Sequence, residues 1–229
     1  MTVAEVKMSI ELKNVSYSYC GKYQTVHAVD NVSYSFEGGK MYAIVGKSGS
    51  GKTTLLSLMA GLDLPSEGDV IVDGTSTRKR DRNKMRREEV SVIYQNYNLF
   101  PLLTVKENIK YPLSLRGIKK KAADDVARVA RERVELSEQY DPRLPAHLSG
   151  GEQQRVAIAR TLAQGSKIIL ADEPTGNLDT KNTENIVGIL KELAHKDGAT
   201  VIIVTHDMAV AEAADVILKM RDGSIDWNE

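Results

Sequence analysis

A glycine-rich stretch that fits G-x-x-x-x-G-K-[ST] is the clearest chemical pattern in the chain. Glycines let a backbone curl so that several N–H groups face one anion, and the positive end of a following helix adds to the attraction. Lys52 is placed to reach the outer phosphates of a polyphosphate, and the Thr53 hydroxyl is placed to bind Mg²⁺. The alternative is a purely structural turn between a strand and a helix. The stretch consists of Gly46, Lys47, Ser48, Gly49, Ser50, Gly51, Lys52 and Thr53, and Thr54 follows it.

Two adjacent carboxylates follow an apolar run at residues 168–171. Side chains at the carboxyl end of a strand in an open α/β sheet face the ligand crevice. Asp172 is therefore a candidate ligand of Mg²⁺, and Glu173 is placed to polarise an attacking water. A second apolar run ends at His206, which we expect at the same sheet edge, near the γ-phosphate. Taken alone, an acidic pair or a single histidine is more often a surface or structural feature.

A second glycine pair precedes a strongly helical segment, within the sequence Leu148–Arg155. Ser149 and Glu152 have the spacing of a capping box, which indicates a well-capped helix start. Gly150 and Gly151 also expose backbone N–H groups to an anion at that start. The chain thus offers two anion-binding helix starts that lie far apart in sequence.

Short apolar runs that end in turn residues predict buried strands, and these must position the motifs. A β-rich opening third, a helical middle and an alternating end are typical of a parallel sheet covered by helices. Pro101 and Pro112 are expected to break up the segment that follows the strand at residues 90–94. The residues Val126, Val129, Ala130 and Val134 mark the apolar face of a later helix. Predicted strands cover residues 10–19, 29–36, 40–45, 69–73, 90–94, 167–171, 200–204 and 216–220; predicted helices cover residues 55–59, 78–89, 119–136, 152–164, 186–194 and 209–214.

Composition narrows the class of protein. The chain has 229 residues, a formal net charge of zero and one cysteine. The single cysteine excludes a disulfide framework and a cysteine-rich zinc site, and the neutral balance argues against a nucleic-acid partner. No stretch approaches the roughly 20 apolar residues that span a bilayer. Met1–Lys13 lacks the apolar core of a signal peptide, so we expect a cytoplasmic chain.

Taken together, the motifs resemble those of ATP-binding-cassette (ABC) ATPases. The glycine-rich loop, Leu148–Arg155, Asp172-Glu173, Asn177-Leu178-Asp179 and His206 occur in the order seen in that family. The resemblance covers nearly the whole chain, and Leu-Ser-Gly-Gly-Glu-Gln is close to unique to the family. It implies an α/β fold with a P-loop NTPase core, an N-terminal antiparallel β subdomain and an inserted helical subdomain. The expected single domain divides into a nucleotide-binding core with the β subdomain (1–95 and 160–229) and a helical signature subdomain (96–159).

The resemblance also implies roles for individual residues. Tyr19 matches the aromatic residue that stacks on adenine, with Tyr17 and Tyr23 as competing candidates. Gln95 matches the glutamine that contacts Mg²⁺ and the attacking water. The expected cofactors are ATP and Mg²⁺. The expected catalytic residues are Lys52, Glu173 and His206, and the expected metal ligands are Thr53, Gln95 and Asp172.

Family membership would imply two protein partners. Two such domains pair head to tail, so that Ser149, Gly150, Gly151 and Glu152 of one copy close over the ATP held by the other. Asp179 would lie in the loop that crosses this interface. A separate integral membrane permease would contact the region Asn98–Asn108 and hold the chain peripherally on the cytoplasmic face of the cell membrane.

The sequence Gly176-Asn177-Leu178-Asp179 is similar to the form found in the lipoprotein-release, macrolide-export and cell-division group. We therefore expect an ATP-hydrolysing subunit that drives an exporter or a mechanotransmission system. The alternatives are the ATPase of an amino-acid importer, a soluble ABC ATPase of an assembly system and a pseudo-ATPase that only binds nucleotide. Basic clusters at residues 78–87 and 119–121 would face anionic lipid, the permease or solvent, and Cys20 is expected to be passive.

Overall fold

The computed structural model describes residues 9–21 and 24–227. Tyr23, a candidate for adenine stacking, lies outside the described residues. The same holds for most of Met1–Lys13, on which the expectation about a signal peptide depends. Within the described part of the chain, Cys20 is an exposed free thiol. No helix in that part is both long enough and apolar enough to span a membrane.

The opening third forms a four-stranded antiparallel sheet with the order β2-β1-β4-β5. In β1, Ile10, Leu12 and Val15 are buried. The register against β2 shifts three times between Leu12 and Ser18, and such irregularities bend a strand and increase its twist. The strands are β1 (Ile10–Cys20), β2 (Thr25–Phe36), β4 (Glu67–Val72) and β5 (Thr75–Ser76).

A six-stranded sheet with the order β10-β9-β3-β8-β7-β6 carries the predicted motifs. Its central neighbours are parallel, and the register pairs Val45 with Thr205 and Asp172 with Val204. The carboxyl ends of β3, β7 and β8 therefore meet at one edge. The strands are β3 (Met41–Val45), β6 (Val90–Ile93), β7 (Ile168–Asp172), β8 (Thr200–Thr205), β9 (Val216–Arg221) and β10 (Ser224–Asp226).

Helices cover this sheet and join it to the middle of the chain. One apolar cluster runs from Ile109 through Val156 to Ile203, so the helical segment shares a core with the sheet. A second cluster joins the antiparallel sheet to the opposite face. The helices are α1 (Lys52–Met59), α2 (Arg82–Glu88), α3 (Val105–Leu115), α4 (Lys120–Arg133), α5 (Gly150–Gln164), α6 (Thr180–His195) and α7 (Met208–Ala211).

The mixed α/β fold agrees with the predicted class. The proposed subdomain boundary between residues 159 and 160 lies inside α5, and the division into subdomains stays a prediction. Three element predictions were wrong at their starts by four residues or more. Strand β2 begins at Thr25 rather than at residue 29. Helix α2 begins at Arg82, because the Asp81 side chain caps it, and α6 begins at Thr180, because Asp179 caps it.

The segment between the two prolines was also predicted wrongly. Pro112 lies inside α3 rather than ending it. A proline inside a helix removes one backbone hydrogen bond, and the burial of Ile109, Pro112 and Leu113 in the core outweighs that loss. In α4, Val126 and Val129 are exposed, which contradicts the predicted apolar face, whereas Ala130 and the adjoining Val134 are buried as predicted. Ala123 and Ala127 complete the buried face.

The basic cluster at residues 78–87 is largely used inside the fold. Arg82 and Arg86 donate to the carbonyl of Gly61, just beyond the end of α1. Arg80 forms an ion pair with Glu89 at 2.5 Å. Cations near a helix C-terminus are favoured by the helix dipole. Arg82 and Arg86 therefore fix α2 to the helix that begins in the glycine-rich loop, and Arg80 links the residues on either side of α2.

Candidate active site

A cleft of about 700 Å³ opens where β3, β7 and β8 end. It brings together most of the residues predicted for the nucleotide. Those residues come from the first strand, the glycine-rich loop, the segment after β6 and the ends of β7 and β8. The cleft is lined by Tyr19, Val26, His27, Ala28, Ser48, Gly49, Ser50, Gly51, Lys52, Thr53, Thr54, Gln95, Asp172, Glu173, Val204 and His206.

Neighbouring strands fix the glycine-rich loop in place. Gly51 has φ 98°, and a Cβ there would lie 2.0 Å from the carbonyl oxygen of Ala28 in β2. A Cβ on Gly46 would lie 2.2 Å from the carbonyl oxygen of Met220 in β9. Glycine is therefore required at both positions by the close approach of two strands.

The Lys52 side chain is almost entirely buried within its own loop. Its ammonium donates to the carbonyls of Gly46 at 2.8 Å and Lys47 at 3.0 Å. An ammonium has three donors, so one remains for a phosphate oxygen. Gly46 and Lys47 thus hold the lysine and do not line the cleft themselves.

The turn between β9 and β10 also supports this loop, and sequence reasoning missed that role. The Gly223 amide donates to the Ser50 carbonyl at 3.2 Å, and the Gly223 carbonyl accepts from the Asp30 amide at 2.9 Å. The only sequence signal was the turn dipeptide Asp222-Gly223, which carries no information about its partner. The turn bridges the glycine-rich loop to β2.

Asp172 and Thr53 meet across the cleft. The Thr53 hydroxyl donates to Asp172 Oδ1 at 3.2 Å. Burial raises the pKa of the Asp172 carboxyl in spite of this hydrogen bond, and the neighbouring charge of Glu173 adds to the rise. A cation placed beside Asp172 would offset both effects.

Glu173 follows β7 in a left-handed conformation, with φ 46°. Its amide donates to the Val204 carbonyl at 2.9 Å, which fixes the backbone to β8. His206 Nδ1 lies 2.7 Å from Glu173 Oε1, and the Thr205 hydroxyl donates to Oε2 at 3.2 Å. The His206 side chain is 70% exposed, so its other ring nitrogen remains available to a ligand.

Thr205 is not among the residues that the sequence motifs predict for the site, although it directly precedes His206. The residue is fully buried. The Thr205 hydroxyl accepts a hydrogen bond from the Asp207 amide at 3.0 Å and donates one to the Glu173 carboxylate. A hydroxyl residue at the end of a buried strand was the available signal.

Gln95 lines the cleft from the segment that follows β6. Its carbonyl accepts from the Asn177 side chain at 3.3 Å. A Cβ on Gly176 would lie 3.0 Å from the Gln95 side-chain nitrogen. The segment after the acid pair therefore contacts both the backbone carbonyl and the side chain of Gln95.

Tyr19 occupies the open end of the cleft. Its hydroxyl lies 3.2 Å from the hydroxyl of Thr54 at the start of α1. The residue is 49% exposed, and the Tyr17 ring packs edge-on against its ring with centroids 5.0 Å apart. Tyr19 is thus the described tyrosine candidate that lines the cleft.

The residues predicted to meet the nucleotide of a second copy do not line this cleft. They are Ser149, Gly150, Gly151, Glu152 and Asp179. They form a second group, at the start of α5. The Ser149 amide donates to Glu152 at 2.7 Å, and the Ser149 oxygen accepts from the Glu152 amide at 3.4 Å, which completes the predicted capping box. Burial opposes ionisation of Glu152, but hydrogen bonds from Tyr140 and Ser149 outweigh it and lower the pKa of that carboxyl.

Asp179 is joined to the same group through α6. Its carboxylate accepts from the Asn182 amide at 2.9 Å and from the Asn182 side chain at 2.7 Å. A Cβ on Gly151 would lie 2.9 Å from the Asn182 side chain. The starts of α5 and α6 therefore form one packed surface.

The oxygen donors of the cleft fit Mg²⁺. Thr53, Gln95 and Asp172 provide hydroxyl, amide and carboxylate oxygens in one cavity. Mg²⁺ takes such ligands and usually shares them with substrate phosphates. Over residues 9–21 and 24–227, no group of three or more His, Cys, Asp or Glu side chains could hold a metal alone. Phosphate oxygens and water would complete the coordination.

The family model for "ABC transporter" matches residues 29–176. The chain belongs to the ABC transporter family. The match includes the glycine-rich loop, Gln95, the signature segment Leu148–Arg155 and the acid pair. This ABC protein is accordingly an ATP-binding cassette with ATP hydrolase activity.

Relatives agree over nearly the whole cassette. The uncharacterized ABC transporter ATP-binding protein MJ0796 of Methanocaldococcus jannaschii is 41% identical and covers 96% of this chain and 96% of its own length. A macrolide export ATP-binding/permease protein MacB of Bordetella avium is 43% identical over 94% of this chain. The chain spans 33% of the length of that MacB protein.

Solved structures agree with the fold. A dimeric post-hydrolysis state of the MJ0796 cassette bound to ADP and Pi has a TM-score of 0.89 and 39% sequence identity. The structural match covers 95% of this chain and 96% of the MJ0796 chain. A second dimeric structure of MJ0796 has the same TM-score at 40% identity.

Proposed function

We propose that this cassette binds two Mg²⁺·ATP between two copies paired head to tail and drives a separate membrane permease from the cytoplasmic face. One observation carries the proposal: the predicted phosphate-binding groups lie in two separate places on one chain. Lys52 and Glu173 line the cleft, whereas Ser149 and Gly151 lie outside it at the start of α5. A second copy in head-to-tail orientation supplies the missing half. The dimeric MJ0796 structures support the pairing of two cassettes.

The chain's own residues supply distinct parts of the reaction. The loop amides and the Lys52 ammonium hold the phosphates, where charge develops during transfer. Glu173 accepts the proton of the attacking water at its carboxylate. Thr205 and His206 hold that carboxylate from two sides. Mg²⁺ held by Thr53, Gln95 and Asp172 would neutralise phosphate charge.

The proposed permease surface is the segment Asn98–Asn108. Leu102 is 87% exposed and Phe100 is 38% exposed. Asn108 is fully buried beneath this segment, and its side-chain oxygen accepts a hydrogen bond from the Phe100 amide at 2.8 Å. Its side-chain nitrogen donates to the backbone carbonyls of Phe100, Leu103 and Thr104. A rigid support therefore presents apolar side chains to a partner. The MacB relatives, named as export proteins, support the export type over an importer.

Glu173→Gln tests this function. We expect steady-state ATP hydrolysis to fall by about 10²–10⁴-fold, the usual worth of a general base. ATP binding should remain, and the variant should form an ATP-dependent dimer that is detected by size-exclusion chromatography with light scattering. Glu88→Gln is the control, because Glu88 is exposed on α2. Near-normal turnover in Glu173→Gln would refute the role of Glu173, and a monomer with bound ATP would refute the pairing.

A further inference from the structure

Arg160, in the third turn of α5, carries a charge without an acidic partner. Its guanidinium donates to the carbonyls of Asn98 at 2.7 Å and Tyr97 at 3.1 Å. Among the described carboxylates, none forms an ion pair with it. Partial burial lowers the pKa of Arg160. A desolvated charge is costly unless hydrogen bonds compensate for it, and here two backbone carbonyls do so.

Those carbonyls belong to an unusual turn. Tyr97 and Asn98 both adopt left-handed conformations, with φ 60° and 45°. Such conformations are unfavourable for residues that carry a Cβ. The planar guanidinium bonds both carbonyls at once, and its carbon lies 5.9 Å from the centre of the Phe100 ring. The turn and the arginine therefore stabilise each other.

The same turn touches both halves of the site. Gln95, two residues before Tyr97, lines the nucleotide cleft. A Cβ on Gly150, at the start of α5, would lie 2.8 Å from the Tyr97 hydroxyl. The turn thus contacts α5 twice, at its first residue through Tyr97 and at its third turn through Arg160.

We propose that Arg160 is a positioning residue that fixes this turn to α5, so that any shift of Gln95 on nucleotide binding is passed on to the start of α5. That helix start must meet the nucleotide of the second copy, so the inference rests on the proposed head-to-tail dimer. Arg160 would couple ATP binding in one copy to recognition of the other copy. It would leave the chemistry of the cleft itself unchanged.

Arg160→Lys tests the coupling from the helix side. Lysine keeps the charge but lacks the planar fork that bonds two carbonyls together. In the Glu173→Gln background, we expect the ATP affinity of the monomer to change by less than about twofold and ATP-dependent dimerisation to weaken about tenfold, within the usual range of couplings between sites. With Glu173 intact, kcat should fall and KM should change little. Binding is followed by titration calorimetry and dimerisation by light scattering.

Asn98→Val tests the coupling from the loop side and leaves Arg160 in place. A β-branched residue strongly disfavours the left-handed conformation, so the carbonyls should turn away from the guanidinium. We expect the same weakening of dimerisation with ATP binding retained. Asp73→Val is the matched control: Asp73 has φ 47° in a surface turn after β4. It should lower thermal stability to a similar extent and leave dimerisation unchanged.

The outcomes are distinct. If the Glu173→Gln parent binds ATP but stays monomeric, the proposed function fails and this inference fails with it. If the parent dimerises and both Arg160→Lys and Asn98→Val dimerise equally well, the positioning role is refuted and the proposed function stands. If Arg160→Lys does not fold, Asn98→Val against Asp73→Val decides the question alone.

Discussion

At the scale of single residues, the Glu173 carboxylate is held in one orientation before any reaction begins. His206 approaches one oxygen and Thr205 donates to the other, and the backbone of Glu173 is fixed in a left-handed conformation. A carboxylate that is already oriented needs little rearrangement when it receives a proton. Thr205 is therefore expected to act through Glu173 although it does not touch ATP.

Thr205→Val should lower kcat by about tenfold or more, because hydrogen bonds to charged groups are each worth roughly 1.5–3 kcal/mol. KM for ATP should remain within about twofold. Thr205→Ser retains the hydroxyl and should restore kcat, which a packing role alone would not predict. Steady-state kinetics of the three proteins, with thermal unfolding as a check on folding, measures this. Equal kcat values for the valine variant and the parent would contradict it.

At the scale of elements, the glycine-rich loop depends on a turn that lies distant in sequence. Gly223 donates to Ser50 and accepts from Asp30, so the β9–β10 turn fixes the loop to β2. An Asp-Gly pair also forms the turn at Asp73-Gly74, with a similar left-handed glycine. The two turns differ in what surrounds them.

Gly223→Ala should weaken ATP binding, whereas Gly74→Ala should not. Alanine is strained at both glycines, which have φ 86° and 72°. At Gly223 the new Cβ would also lie 3.3 Å from the Ala28 carbonyl oxygen, whereas at Gly74 nothing lies within 4 Å. A loop shift that costs about 1 kcal/mol corresponds to roughly a fivefold loss of affinity. Nucleotide titration and thermal unfolding of both variants measure this; an equal ATP affinity in the two would show that the turn does not support the loop.

The elements themselves were largely predictable where hydrophobic pattern and position agree. Buried strands such as β7 and β8 are continuous apolar runs whose carboxyl ends share an edge, and this predicted that Asp172 and His206 lie together. Helix α3 was missed, because Pro112 is a local breaking signal that tertiary packing of Ile109 and Leu113 overrides. The exposed Val126 shows the same limit: which face of α4 is buried depends on its neighbours.

At the scale of the whole molecule, the cassette presents different surfaces to its proposed partners. The starts of α5 and α6 would face a second copy, and the exposed segment around Leu102 would face the permease. Contacts such as Arg160 with Tyr97 and Asn98 connect these surfaces. They were not predictable, because they depend on a left-handed turn that local residue preferences do not specify and on a partner 62 residues away.

Purification of the chain from its own host in mild detergent should recover a polytopic membrane protein. Leu102→Glu should reduce that recovery strongly, because a charge replaces an apolar side chain that is 87% exposed. Leu115→Glu is the control, since Leu115 is also exposed, at 53%, and lies outside the segment Asn98–Asn108. Mass spectrometry quantifies the recovered protein. Recovery of soluble partners alone would favour the assembly-factor alternative.

The hydrogen bonds from Lys52 to the carbonyls of Gly46 and Lys47 have a thermodynamic consequence. They maintain the shape of the loop from within, so an arriving nucleotide meets a preorganised cradle. Little conformational entropy then has to be lost on binding. More of the free energy of nucleotide binding is then available for the proposed pairing of two cassettes and for the movement of the proposed permease.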